Sequence, residues 1–399
     1  MMRLCLSALL TAGCLQRVPV FDADDAGPLD AARDIVPVDG SADADAADSA
    51  MPPTAFGMRL AAGLDHACAI DGLGALQCWG VNESGQLGVG ERSAQSPPVS
   101  IDGTWISVAA GGNSTCAINA DRELFCWGAN PEGGVGVGDR EDRLVPTLVS
   151  LSGPVTSVDV GQGFACAIAS SELYCWGAND EGQLAQDDGP TAPVEGLTPL
   201  RVAGGPYREV YAGEGHACVL ADGGRVACWG RNTDSILGFP ESVAEQARSP
   251  RQLEGRWLVV APAQFHTCAI DDSSRLQCWG RGGFGRTGQG DEARRDRPAP
   301  VAMNGDEWAD LDASWFHTCG TRLNGSLWCF GWNEQGMLGM GDRLVRLAPE
   351  AVNRSASSVA VGRFFTCIRG DTGIACAGRN GEGQLGVVSP RQSDVFVER

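Results

Sequence analysis

Beyond residue 55 the apolar positions fall in short runs that alternate with polar ones and are punctuated by Gly, with no helical periodicity. One stretch shows the unit. Residues 58–63 read as a short strand ending on Gly63, and residues 66–70 (His-Ala-Cys-Ala-Ile) as a second strand. Asp71-Gly72-Leu73-Gly74 makes a turn, residues 75–80 a third strand, and residues 82–88 a compact loop. A charged stretch then leads to Pro97-Pro98-Val99-Ser100-Ile101, an outer strand in which Pro fits because an edge needs no ladder donor.

The unit recurs. Apart from Cys5 and Cys14, the cysteines form seven pairs: Cys68 with Cys78, Cys116 with Cys126, Cys166 with Cys175, Cys218 with Cys228, Cys268 with Cys278, Cys319 with Cys329, and Cys367 with Cys376. Successive first members lie 48, 50, 52, 50, 51 and 48 residues apart. A period near 50 with four short strands per copy predicts an all-β chain, a seven-bladed β-propeller over residues 56–399. Residues 394–398 close the last blade alone, or a strand from near Ala55 is borrowed; the pattern leaves both open.

Three recurring motifs carry a family resemblance: Gly-x-x-His before the second strand, a Trp-Gly pair ending the third, and Asn-x-x-Gly-Gln-Leu-Gly followed by Pro. In these the chain resembles the regulator-of-chromosome-condensation (RCC1) repeat propellers over about residues 56–399. Copies depart from the pattern. Trp-Gly becomes Phe330-Gly331 and Ala377-Gly378, and Gln-Leu-Gly becomes Ile236-Leu237-Gly238 and Arg286-Thr287-Gly288. The Gly-Asp…Arg…Pro loops, such as residues 139–143, 291–297 and 342–346, resemble the family pattern and imply ion pairs within each loop. Arg294, Arg295 and Arg297 offer contacts to an anion, with surface pairing as the simpler reading.

Each Cys pair spans a hairpin turn. Facing Cys68 with Cys78 brings Ile70 opposite Leu76, and facing Cys166 with Cys175 brings Ile168 opposite Leu173. Opposed residues in an antiparallel pair lie about 4.5–5.5 Å apart, within disulfide range, so seven intrablade disulfides are expected. A thiolate metal site needs closely spaced ligands such as C-x₂₋₄-C, which the sequence lacks. His66, His216, His266 and His317 all stand two residues before the first Cys, where other copies have Ser114, Phe164 and Phe365. A position shared by several repeats suits a structural ring bonded to a neighbouring loop better than a catalytic base.

Charge and composition narrow the functions. The net charge is −20, with 50 acidic residues and 30 basic ones, all of them Arg. Without Lys there is no Walker-type phosphate loop and no Schiff base, and the acidity opposes nucleic acid as a partner. Gly-rich runs such as residues 133–138 and 281–285 are repeat turns, because no helix follows them to hold a phosphate. No Ser-His-acid set stands out, so no enzyme, cofactor or metal is expected.

The N-terminus reads as an address. Arg3, a short apolar run and Thr11-Ala12-Gly13-Cys14 resemble a bacterial lipoprotein signal, with Thr11 where Leu is usual. The expectation is a signal over residues 1–13, lipidation on Cys14, and a tether over 14–55 with nine Asp between Phe21 and Ser49. An ordinary secretory signal is the alternative. Location is expected to be extracytoplasmic, on a bacterial envelope, through a lipid anchor.

One unevenness on the regular scaffold points to binding. The loop between first and second strands carries Phe265, then Trp315 and Phe316, then Phe364 and Phe365 in three consecutive copies. An aromatic arc on one face suits an anchor for a protein partner; rings wedged between blades are the alternative. The RCC1 resemblance implies nucleotide exchange and chromatin binding, which export, disulfides and acidity oppose, or secreted protein binding, which fits. The chain is thus expected to be a monomeric, exported protein-interaction scaffold. A glycan- or wall-binding propeller is the alternative, and an exchange factor the least supported.

Overall fold

The computed structural model describes residues 60–186, 195–303, 305 and 307–399. Cys14, the signal over 1–13, the tether over 14–55 and residues 56–59 lie outside the described residues. Seven four-stranded antiparallel sheets follow one another along the chain. The first runs Leu60–Ala62, His66–Ile70, Leu76–Asn82 and Ser93–Ile101, in that order from the inside outward. The other blades occupy residues 105–149, 155–202, 207–252, 257–300, 308–355 and 358–398. Among the described residues no helix is long and apolar enough to cross a membrane.

The expected register holds: Cys68 faces Cys78 with Ile70 opposite Leu76, and Cys166 faces Cys175 with Ile168 opposite Leu173. Both pairs are disulfides. So are the other five: Cys116 with Cys126, Cys218 with Cys228, Cys268 with Cys278, Cys319 with Cys329, and Cys367 with Cys376. Each joins the second strand of a blade to the third, with Cα atoms 4.0–4.1 Å apart, and no link crosses between blades. Every one of these cysteines is buried. Outer strands bulge opposite the third-strand Trp: Cys78 pairs with Val99 and Gly80 with Ser96, leaving Pro97 and Pro98 between. A residue without an N–H costs least where the ladder is already broken.

The core is a set of seams between blades. Trp79, Trp127, Trp176, Trp229 and Trp279 are fully buried. Each indole Nε1 donates to a loop carbonyl of the preceding blade, those of Gln384, Gln86, Gly134, Gln183 and Ile236, at 2.7–2.9 Å. A buried indole keeps its partner this way, and adjacent blades are fixed in register. Gly survives after the Trp position even in Phe330-Gly331 and Ala377-Gly378. Its φ is +112° and +113° there, and a Cβ on Gly331 would lie 2.5 Å from the Phe316 carbonyl oxygen.

Among the described residues each of the two blades that meet at closure has four strands of its own. Gln392–Glu398 is the outer strand of the last blade, and residues 60–101 form the first blade by themselves. The seam between them combines Ala67, Ala69 and Trp79 with Phe365, Ile374 and Leu385. The Arg399 guanidinium lies 3.9 Å from the Trp79 ring centroid, and Arg363 pairs with Asp65.

The expected loop ion pairs form. Arg143 meets Asp139 at 2.6 Å, Arg295 meets Asp291 at 2.8 Å and Arg346 meets Asp342 at 2.7 Å. Arg294 is occupied by Glu241 and Asp296, so it is no open anion contact.

Candidate functional site

The four histidines are fully buried, and their partners are not loops. His66 Nε2 lies 2.9 Å from Thr115 Oγ1, and His216, His266 and His317 meet Thr267, Thr318 and Thr366 at 2.7–2.9 Å. Each Thr sits on the second strand of the next blade. Thr115 and Thr267 donate their own protons to the carbonyls of Gln86 and Ile236, so the imidazole Nε2–H is the donor to the hydroxyl. Where the His position holds Ser114, Phe164 or Phe365, the next blade has Ala165, Ala217 or Ala67 instead of Thr. His with Thr and non-His with Ala is a pairing rule within one chain.

Burial pulls these imidazoles down, to about 4 for His66 and about 3 for His216 and His317. The fold therefore holds them neutral, and their stabilisation, complete above about pH 6.5, is lost as pH falls toward those values. Asp159, Asp310 and Asp312 line a central channel of about 430 Å³ and titrate oppositely. Burial raises them to about 7, 6 and 7, against bonds from the Ala212, Val359 and Val361 amides of the following blades. Their neutral forms favour the fold at low pH, and that contribution fades as pH rises through 6–7. Replacing His216 by Phe and Thr267 by Ala together copies the native seam of Phe164 with Ala217 and leaves the three Asp alone. The double variant should lose less melting temperature than wild type between pH 7 and pH 5. Equal losses would mean the imidazole does not carry the acid sensitivity.

The antiparallel meander puts the loops joining first to second strand and third to outer strand on one end of the ring. Two repeat positions meet there, the residue before the His position and the residue after the Trp-Gly glycine. A backbone bond holds them together, as from the Arg281, Trp332 and Arg379 amides to the Phe265, Phe316 and Phe364 carbonyls, at 2.8–3.0 Å. The fifth, sixth and seventh blades thus present Phe265 with Arg281, Phe316 with Trp332, and Phe364 with Arg379. Trp315 adds a ring beside them.

These side chains form one half-buried platform. Ring centroids run from Phe265 to Trp315 at 6.0 Å, Trp315 to Phe316 at 5.9 Å, and Phe316 to the stacked Phe364 at 5.5 Å. Trp332 lies 5.1 Å from Phe316, and Phe284, 45% exposed, lies 6.3 Å from Trp332. Beneath them Arg286 is buried, its guanidinium 5.1, 5.6 and 5.8 Å from the Phe265, Phe284 and Phe316 centroids. Arg286 Nε donates to the Gly283 carbonyl at 2.7 Å and Nη1 to that of Trp315 at 3.0 Å. Burial lowers this guanidinium to about 10, which leaves it charged at neutral pH. Arg363 covers Phe364 at 5.0 Å, and the Trp315 indole donates to Glu214 Oε1 at 2.8 Å.

Of the five expected arc residues, the structure brings Phe265, Trp315, Phe316 and Phe364 together. Phe365 is a correction. It begins the second strand at the His position, and alternation along the strand turns it inward, where it is fully buried in the seam with the first blade. Arg286, Phe284 and Trp332 are additions. Arg286 stands where the first, third and seventh copies keep Gln86, Gln183 and Gln384, so the departure from Gln-Leu-Gly in the fifth copy is where the platform finds its central cation.

A seven-bladed ring of disulfide-stapled, four-stranded repeats with indole–carbonyl seams defines the class. A family model described as an RCC1-like domain matches residues 40–368, and the chain belongs to that family. Over 205 residues it is 30% identical to the ultraviolet-B receptor UVR8 of Arabidopsis thaliana, covering 49% of this chain and 45% of that protein. A stretch of 194 residues is 25% identical to the X-linked retinitis pigmentosa GTPase regulator homolog of Caenorhabditis elegans, covering 47% of this chain and 10% of that one. The chain thus spans less than half the length of both curated relatives. Human WBSCR16 shares the fold with a TM-score of 0.73 at 20% identity, over 80% of this chain and 93% of that one. Yeast RCC1 (Prp20), in a crystal structure with Kap60, gives 0.69 at 18% over 76% and 78%.

Proposed function

We propose that the chain is an exported, non-catalytic scaffold that docks a partner protein on the aromatic–arginine platform of blades five to seven. The observation that carries this reading is the platform: half-buried rings and guanidinium groups gathered on one face of an otherwise regular ring. Aromatic and Arg side chains are the residues that most often dominate binding energy at protein interfaces. Another propeller of this fold, yeast RCC1, is bound to the protein Kap60. Guanidinium groups already cover Phe265, Phe316 and Phe364, which leaves less open ring face for stacking sugars than the glycan reading requires. The four histidines are fully buried with Nε2 bonded across the seams, a setting that suits structure better than contact with a substrate.

Seven buried disulfides suit an oxidising, extracytoplasmic compartment. Cys14 as the acylated residue and residues 14–55 as an acidic spacer belong to the same proposal, supported by the short apolar run before Ala12-Gly13-Cys14. Changing Cys14 to Ser should move the protein from the membrane fraction to the soluble one with its melting temperature unchanged; retention at wild-type levels would end the anchor reading. For the platform, affinity capture from expressing cells is compared between wild type and a variant combining Trp315→Ala with Phe364→Ala. A protein retained by wild type and lost by the variant, with or without soluble glycan, is the expected result. Glycan-sensitive capture would favour the sugar reading.

A further inference from the structure

The positions that build the platform in blades five to seven carry small side chains in blades two to four: Asn113 and Ala129, Gly163 and Ala178, and Gly215, which faces Arg231. The step in size leaves a groove of about 560 Å³ on the same face, floored by these residues. Its charged lining is one-sided. Among the described residues Glu132, Asp180, Glu181, Glu195 and Glu214 border it, against Arg231 as the one basic side chain. Glu195 is paired with Arg140, and the Arg231 guanidinium is turned to the Gln264 carbonyl.

Groove and platform meet at Glu214, which borders the groove and accepts the Trp315 indole proton. The other oxygen of Glu214, Oε2, is buried and has no hydrogen-bond partner among the described residues, and the same holds for Gln264 Oε1 beside it. Two acceptors at the inner end of an acidic groove call for donors that the described residues do not supply, since a buried acceptor left alone costs free energy.

We propose that the groove takes an extended cationic segment of the partner, Arg- or Lys-bearing, while the adjoining part of that segment lies on the platform. The inference rests on the platform reading and adds the charge of the partner to it. Gly and Ala on the groove floor let a backbone approach closely, and carboxylates on its rim meet guanidinium or ammonium groups. A second copy of this chain is a poor occupant, because its net charge of −20 and lack of Lys offer little cationic surface.

The test is fluorescence anisotropy with a labelled peptide of alternating Arg and Gly followed by Pro-Trp-Pro, and its counterpart with Glu for Arg. The Arg peptide should bind wild type, more weakly at about 0.2 M than at about 0.02 M salt, and the Glu peptide should not. Glu132→Gln, Asp180→Asn and Glu181→Gln combined should weaken binding about tenfold or more. Trp315→Ala with Phe364→Ala should weaken it independently. Equal binding of the two peptides, an unaffected groove variant, or no binding of the Arg peptide would overturn the cationic assignment. Loss in the platform variant alone would leave the platform reading standing without it. Loss in the groove variant alone would instead remove the platform and keep the groove.

Discussion

Reducing all seven disulfides should abolish the ring. Each link closes a loop of about ten residues, and on the chain-entropy model contributes roughly 2.5–3 kcal/mol, an upper figure where the hairpin persists in the unfolded chain. Taken over seven links, that exceeds the roughly 5–15 kcal/mol by which a typical domain is stable. All fourteen sulfurs belong to buried residues, so reductant alone acts slowly and mild denaturant is needed to admit it. Under those conditions circular dichroism should show loss of the β signal with reductant and its retention without. Peptide mapping of the unreduced protein should return only links within a copy. A reduced protein that keeps its cooperative melt would show that the seams suffice without the staples.

The second large effect belongs to the seams. Trp229 is closed off from water among Leu184, Val202, Val226 and Leu237, with its indole proton on the Gln183 carbonyl at 2.7 Å. Trp229→Ala removes that ring from between the third and fourth blades and leaves the carbonyl short of a donor. Stability in urea should fall by about 3–5 kcal/mol. Trp315→Ala, which empties a half-buried surface position, should cost less than half as much. If the two variants were equally destabilised, the platform would be part of the core and not a surface held ready for a partner.

Much of this architecture was legible in residue spacing. The Cys period and the offset of nine or ten residues within each pair set the blade count, the hairpins and their register, because facing cysteines admit only one alignment of the two strands. Ring closure was not legible: residues 394–398 and the segment near Ala55 are both too short for pattern to decide which one pairs. The His–Thr seams stood in the sequence, since Thr115, Thr267, Thr318 and Thr366 follow each His by one repeat. Finding them requires comparing different repeat positions in successive copies. The platform was half legible. Phe265, Trp315, Phe316 and Phe364 stand out within one loop position. Phe284, Arg286 and Trp332 come from another loop, and only the meander puts the two loops on the same face. Phe365 shows the opposite case, because adjacency to Phe364 suggested a shared surface that strand alternation forbids.

The most direct test is the affinity of a captured partner for wild type and for Trp315→Ala, measured by titration with melting temperatures alongside. Docking on the platform predicts a loss of about 2 kcal/mol or more, roughly thirtyfold in affinity, with little change in melting. Unchanged affinity in a fully folded variant would contradict it.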